Sequence, residues 1–249
     1  MKVKSTPTRG AAKVRRVGAR KAELRPLELV PAILVKTREQ LVQRLAVAAT
    51  VAKRAQVDVM DGRFVPNTTV QPHELLGLKP PLALEVHLMV EDPLAAIDLI
   101  GTRAELFLVH VETLGQGTVI DGKGSLDELR ARARELGARF GLAINAKTPM
   151  SAVLPYLDRV DEVLVMTVEA GFGGQALIPA TLDKVAALRK LRPDLDIEVD
   201  GGIDGTTVGA AAKAGANVLV AGSALFGAGD VAAAADVLLA SAARARSSS

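Results

Sequence analysis

The chain has no cysteine and no tryptophan, and only one tyrosine and five phenylalanines among its 249 residues. Without cysteine there is no disulfide framework, no thiol nucleophile and no thiolate metal site, which fits a reducing compartment. An aromatic share of 2% argues against the stacking platforms that hold single-stranded nucleic acid. Also missing is any run near the roughly 18 consecutive apolar residues of a membrane span, so no membrane partner is expected. Acidic residues are absent from positions 1–22, which carry eight Lys or Arg. Beyond that segment 23 basic residues face 28 acidic ones, so the net charge of +3 is the sum of a +8 tail and a −5 body. A mildly acidic body does not present the basic face that nucleic acid requires, and nucleic acid is not an expected partner.

Residues 1–22 lack the apolar core of a secretory signal and are too polar and charged to fold alone. They read as a disordered basic extension; an organelle-targeting peptide and a tether for anionic partners are the alternatives. The expected location is the cytoplasm, with an organelle as the alternative. The division implied is an extension over 1–25 and one domain over 26–243, long enough to bury a sizeable core. The last residues, Ala243 to Ser249, read as a fraying tail.

From about Leu27 onward, short apolar runs alternate with helical segments. The runs are Leu29–Leu34, Ala55–Val59, Leu84–Met89, Leu106–Val111, Gly141–Ile144, Val163–Val168, Ile197–Val199 and Val218–Val220. Several are continuously apolar and β-branched, as parallel strands buried on both faces require. Thr37 with Gln40, and Ser125 with Glu128, read as capping boxes. Pro93 after Asp92 marks a helix start, and Gly137 and Gly215 sit where helices should stop. Eight strand–helix units in succession match a (β/α)8 TIM barrel, with an open doubly wound sheet as the competing architecture.

Reactive side chains gather at the C-terminal ends of the predicted strands, where a barrel carries its chemistry. Gln56, Asp58 and Met60 share one face of the second strand by alternation, as do His87 and Met89 on the third. If that face is inward, Asp58, His87 and Asp200 converge at the mouth. Buried carboxylates are costly unless paired or bound to metal, so two of them with a histidine point to a divalent cation. The competing reading of each Asp is a cap on the following loop. His110 reads either as a satisfied core histidine or as a group behind the site, and His73, beside Pro72, as a surface residue. Gly171-Phe172-Gly173-Gly174-Gln175, Gly201-Gly202 and Gly222-Ser223 follow the last three strands, where backbone N–H groups can approach an anion.

The stretch Val57-Asp58-Val59-Met60-Asp61-Gly62-Arg63-Phe64-Val65-Pro66-Asn67 closely resembles the signature of ribulose-phosphate 3-epimerases. So do Val86-His87-Leu88-Met89-Val90, the run from Val163 to Gln175, and Glu198-Val199-Asp200-Gly201-Gly202-Ile203. The resemblance spans residues 28–228 and implies inversion at C3 of a ketopentose 5-phosphate, with D-ribulose 5-phosphate and D-xylulose 5-phosphate as the expected pair. It implies Asp58 and Asp200 as acid and base, Asp58, His87 and Asp200 as ligands of a divalent metal (Zn, Mn, Fe, Co or Mg), and Met60, Met89 and Met166 beside the reacting carbons. Relatives commonly assemble into homo-oligomers. Four departures stand out: Gln56 in place of a metal-binding histidine, Ala32 in place of a serine facing substrate, Asn145-Ala146-Lys147-Thr148 in place of Asn-Pro-Gly-Thr, and Ala170 in place of a proline. Asn145 itself keeps its expected place at the substrate. A neutral carbonyl ligand at Gln56 predicts weaker metal binding and a shift from Zn²⁺ toward Mn²⁺ or Mg²⁺. A related ketose phosphate, such as a ketohexose 6-phosphate, and a non-catalytic sugar-phosphate binder are the alternative functions.

Overall fold

The computed structural model describes residues 25–115 and 124–247. The predicted extension, apart from Arg25, therefore lies outside the described residues. Among the described residues there are eight strands: β1 (Glu28–Ile33), β2 (Arg54–Met60), β3 (Ala83–Met89), β4 (Leu106–His110), β5 (Arg139–Ile144), β6 (Glu162–Met166), β7 (Asp196–Asp200) and β8 (Val218–Ala221). Each lies within two residues of its predicted run at either end. All pair in parallel in chain order, and β8 closes on β1. The sheet is a closed (β/α)8 barrel, and the doubly wound alternative is excluded.

The reason lies in the two faces of each strand. Outward residues such as Val57, Val86, Phe107, Phe140, Val163 and Ile197 are fully buried in one continuous cluster beneath the helices. Inward residues form small separate clusters around polar ones. Burying each large apolar side chain contributes about 1.5–3 kcal/mol, so the outer layer holds the barrel together and leaves the inner face free to carry polar groups.

The helices are α1 (Arg38–Ala48), α2 (Pro93–Ile100), α3 (Leu126–Glu135), α4 (Leu182–Leu191), α5 (Val208–Ala214), α6 (Ser223–Phe226) and α7 (Val231–Ser247). Ser125 and Glu128 form the expected reciprocal capping box. At α1 only half of one forms: Thr37 accepts from the Gln40 N–H, but the Gln40 carbonyl reaches Lys36 N instead of Thr37 N. The β2–β3 and β5–β6 connections hold 3₁₀ turns, at Pro72–Leu75 and at Met150–Ala152 and Leu154–Tyr156, in place of an α-helix. Pro66, Pro72, Pro80 and Pro81 in the first, and Pro149 and Pro155 in the second, remove the N–H groups a longer helix needs.

The fraying tail expected from Ala243 onward is corrected: α7 continues to Ser247. Ala and Arg are strong helix formers, and Ala242 is fully buried. A Cβ built on Gly209 of α5 would stand 3.2 Å from the Ala245 Cβ, so the missing side chain lets the last turns of α7 close on α5. Among the described residues no helix is long and apolar enough to cross a membrane.

Candidate active site

Parallel register sets the inner residues side by side. Asp58 pairs with His87 and Met60 with Met89 across β2 and β3, while Met166 pairs with Asp200 across β6 and β7. The convergence expected of Asp58, His87 and Asp200 is present: one ligand atom from each lies within 4.8 Å of the others. His87 Nδ1 is 3.1 Å from Asp58 Oδ1 and 3.6 Å from Asp200 Oδ2. Gln56 Nε2 donates to the same two oxygens, at 2.9 and 2.7 Å. Gln56 and His87 are fully buried below the mouth, and Asp58 nearly so.

Burial pushes the Asp58 carboxyl up to about 6, against the hydrogen bond from His87. Burial opposes a charge on His87, but the Asp200 and Asp58 carboxylates beside it outweigh this and raise it to about 9. His87 Nε2 lies 2.9 Å from His110 Nε2, and His110 Nδ1 lies 3.1 Å from Glu112 Oε2. Burial drives His110 down to about 4. Burial would raise Glu112, yet its hydrogen bond with His110 prevails and holds it near 2. One tautomer pattern satisfies every atom: His87 Nε2–H donates to His110, and His110 Nδ1–H donates to the Glu112 carboxylate. His110 is thus the group behind the site. Glu112 stands with His110 among the reactive residues at the end of the fourth strand, but its contact with His110 is not legible in the sequence, because the reach back depends on the turn at Val111–Thr113.

Above these groups opens a cavity of about 390 Å³, to which Asp58, Asp200, Met60, Met89 and Met166 all contribute. Its other wall is made by Gly171, Gly173, Gly174, Gly201, Gly202, Gly222 and Ser223, the three stretches singled out as anion sites. Ala32 also faces the cavity, whereas Asn145 is not among the lining residues. Instead the Asn145 N–H donates to Glu112 Oε1 and its carbonyl accepts from Lys184 Nζ, both at 2.9 Å. Arg44 of α1, to which the sequence alone assigns no role, also lines the cavity and stacks 4.4 Å from the Phe226 ring centroid.

The glycine wall depends on backbone conformation. Gly202 has φ +66°, and a Cβ there would lie 2.3 Å from the Leu177 nitrogen. Gly202→Ala is expected to cost about 1–3 kcal/mol of local strain and to raise KM for a phosphorylated ketose while moving kcat less. Steady-state kinetics check this; an unchanged KM would detach the loop from substrate binding.

The same inner residues fit a divalent cation. Two carboxylate oxygens and an imidazole nitrogen are grouped within reach of one ion, and Gln56 Oε1 is buried without a hydrogen-bond partner. A second trio, Glu85, Glu162 and Glu198, has comparable spacing. There, however, Arg54 Nη1 already lies 3.0 Å from both Glu85 Oε2 and Glu162 Oε2 and supplies the positive charge.

Asp58 and Asp200 both line the cavity at the mouth of a (β/α)8 barrel, where enzymes of that fold class carry their active sites. The chain matches the model of the ribulose-phosphate 3 epimerase family over residues 28–226, and it belongs to that family. It is accordingly an isomerase. It is 44% identical over 176 residues to a ribulose-phosphate 3-epimerase of Schizosaccharomyces pombe, covering 68% of this chain and 73% of the relative. A Bacillus subtilis ribulose-phosphate 3-epimerase is 37% identical over 182 residues, covering 70% and 80%. Among solved structures, 3-keto-L-gulonate-6-phosphate decarboxylase of Vibrio cholerae superposes with a TM-score of 0.62 at 16% identity, covering 88% of this chain and 99% of that one. That likeness concerns the fold alone.

Proposed function

We propose that the protein interconverts D-ribulose 5-phosphate and D-xylulose 5-phosphate by proton transfer at C3, with Asp58 and Asp200 as the two acid–base groups. The observation that carries this reading is their placement: they come from β2 and β7, and both face one methionine-lined cavity. Inversion requires a group on each face of the reacting carbon, since a single base returning its own proton regenerates the substrate. Removing a proton next to a carbonyl requires a base and a counter-charge for the oxygen that becomes anionic. A divalent cation held by Asp58, His87 and Asp200, with Gln56 as fourth ligand, would supply that counter-charge. Mn²⁺ or Mg²⁺ suits the carbonyl of Gln56 better than Zn²⁺ does.

The protein's own residues do the rest. Met60, Met89 and Met166 present apolar, polarizable surface that keeps water from the reacting carbon. Thr167 Oγ1 donates to the carbonyls of Asp200 and Gly201 at 3.0 and 2.5 Å, and Thr69 Oγ1 donates to the Asp58 carbonyl at 2.6 Å. These bonds fix the backbone from which each carboxylate projects. Backbone N–H groups of the glycine wall bind the substrate's phosphate. The test is a coupled xylulose 5-phosphate assay with and without chelator, together with deuterium uptake at C3 in heavy water. Epimerisation that chelator suppresses and Mn²⁺ restores is the expected result. No uptake from either pentulose phosphate, even with added Mn²⁺, overturns the reading.

A further inference from the structure

The Gln56 amide competes with a cation for two particular atoms. Asp58 Oδ1 and Asp200 Oδ2 are the oxygens that, with His87 Nδ1, form the candidate metal cluster. They are also the two acceptors of Gln56 Nε2. One nitrogen carrying two hydrogens therefore bridges both carboxylates, while Oε1 at the other end of the amide is buried with no hydrogen-bond partner. A half turn about the last side-chain bond exchanges these two ends at almost no change in shape. With the donor end inward, the amide dipole partly neutralises the buried Asp58 carboxylate and the half-buried Asp200 carboxylate. With the acceptor end inward, Oε1 faces two anionic oxygens, an arrangement tenable only when a cation lies among the three.

We propose that Gln56 is a two-position switch: its amide nitrogen bridges Asp58 and Asp200 when the protein is metal-free, and the group turns to offer Oε1 as a ligand when a divalent cation binds those oxygens. This rests on reading Asp58, His87 and Asp200 as a cation site. The bridge stabilises the metal-free protein, since without it buried Asp58 and half-buried Asp200 would share only the neighbouring His87. It also weakens cation binding, because two hydrogen bonds must break before the ion enters. A carbonyl donor then favours Mn²⁺ and Mg²⁺ over Zn²⁺.

The test uses the full chain, ¹⁵N-labelled and stripped of metal. The Gln56 side-chain amide resonance, identified by its loss in Gln56→Glu, is expected to be protected from solvent exchange and to move when Mg²⁺ saturates the protein. By calorimetry, Gln56→His is expected to bind Zn²⁺ at least about tenfold more tightly than wild type, with Mn²⁺ affinity changed less. Metal-free Gln56→Leu is expected to melt at least about 3 °C below wild type, and the gap narrows at saturating Mn²⁺. A resonance that stays in place while calorimetry records Mg²⁺ binding overturns the switch, as does equal Zn²⁺ affinity in wild type and Gln56→His. If no cation binds at millimolar concentration yet pentulose phosphates are still epimerised, the switch falls and the epimerase reading survives. If the resonance moves with cation but no C3 exchange is found, the switch stands and the epimerase reading falls.

Discussion

Asp200→Asn is expected to lower C3 inversion by about 10²–10⁴-fold, the usual contribution of a positioned acid or base, while hydrogen exchange at C3 survives in one epimer only. The asymmetry follows from geometry. Asp58 and Asp200 reach the cavity from β2 and β7, and on the proposed mechanism each serves one face of the carbon. With Asp200 neutralised, Asp58 can still remove and return the hydrogen on its own side, and solvent deuterium enters without inversion. Asp58→Asn is expected to give the mirror result in the other epimer. Asparagine keeps an oxygen that can accept from Gln56, so the surrounding hydrogen bonds persist and cation content can be compared directly. The measurement is deuterium incorporation by NMR for each pure epimer, alongside bound metal. Two single-base variants that both keep near-normal inversion would sink the two-base assignment. So would loss of exchange in both epimers at unchanged metal content.

Much of this site is legible in the sequence because its residues lie at strand ends in runs of period two. Asp58 and Met60 must share a face, as must His87 and Met89, and a (β/α)8 barrel brings strand ends together. The glycine stretches were legible for a similar reason: Gly171, Gly174, Gly201 and Gly202 all have positive φ, which other residues adopt only with strain. What escaped depended on register or on side-chain reach. Glu112 joins the site only because its carboxylate turns back to His110. Arg44 lines the cavity only because α1 packs beside Phe226. The missing helices after β2 and β5 were signalled by proline, but an alternating pattern reads through such breaks. The hydrogen bonding of Gln56 was hidden for another reason: an amide is donor and acceptor at once, and spacing does not say which end faces inward.

Least visible was the charge at the barrel floor, and there removal of Arg54 is expected to have its largest effect. Alternation puts Arg54, Glu85, Glu162 and Glu198 inside the barrel, but only the register shows that they meet. Arg54 Nη1 lies 3.0 Å from Glu85 and from Glu162, and Nη2 lies 2.9 Å from Glu28. Neither Glu198 oxygen receives a hydrogen bond. Burial raises Glu85 to about 8 and Glu198 well above the ordinary glutamate value, the Arg54 charge only partly opposing it. Between the unfolded value of about 4.5 and 8, the folded protein therefore holds a proton that the unfolded chain releases. By linkage, this contribution makes stability fall as pH rises through that window. Arg54→Met keeps the apolar stem but removes the cation beside Glu85 and Glu198 and leaves Glu162 with Arg139 alone, 3.0 Å away; breaking a buried pair in this way costs about 3–5 kcal/mol. The loss is expected to be larger at pH 8 than near pH 5, where Glu85 and Glu198 hold their protons. Adding Glu162→Leu to Arg54→Met takes one acidic group out of the cluster and is expected to recover part of the loss. Urea midpoints of the three proteins at both pH values measure this. An equal loss at pH 5 and pH 8 would mean that the charge of Arg54 does not act through these glutamates.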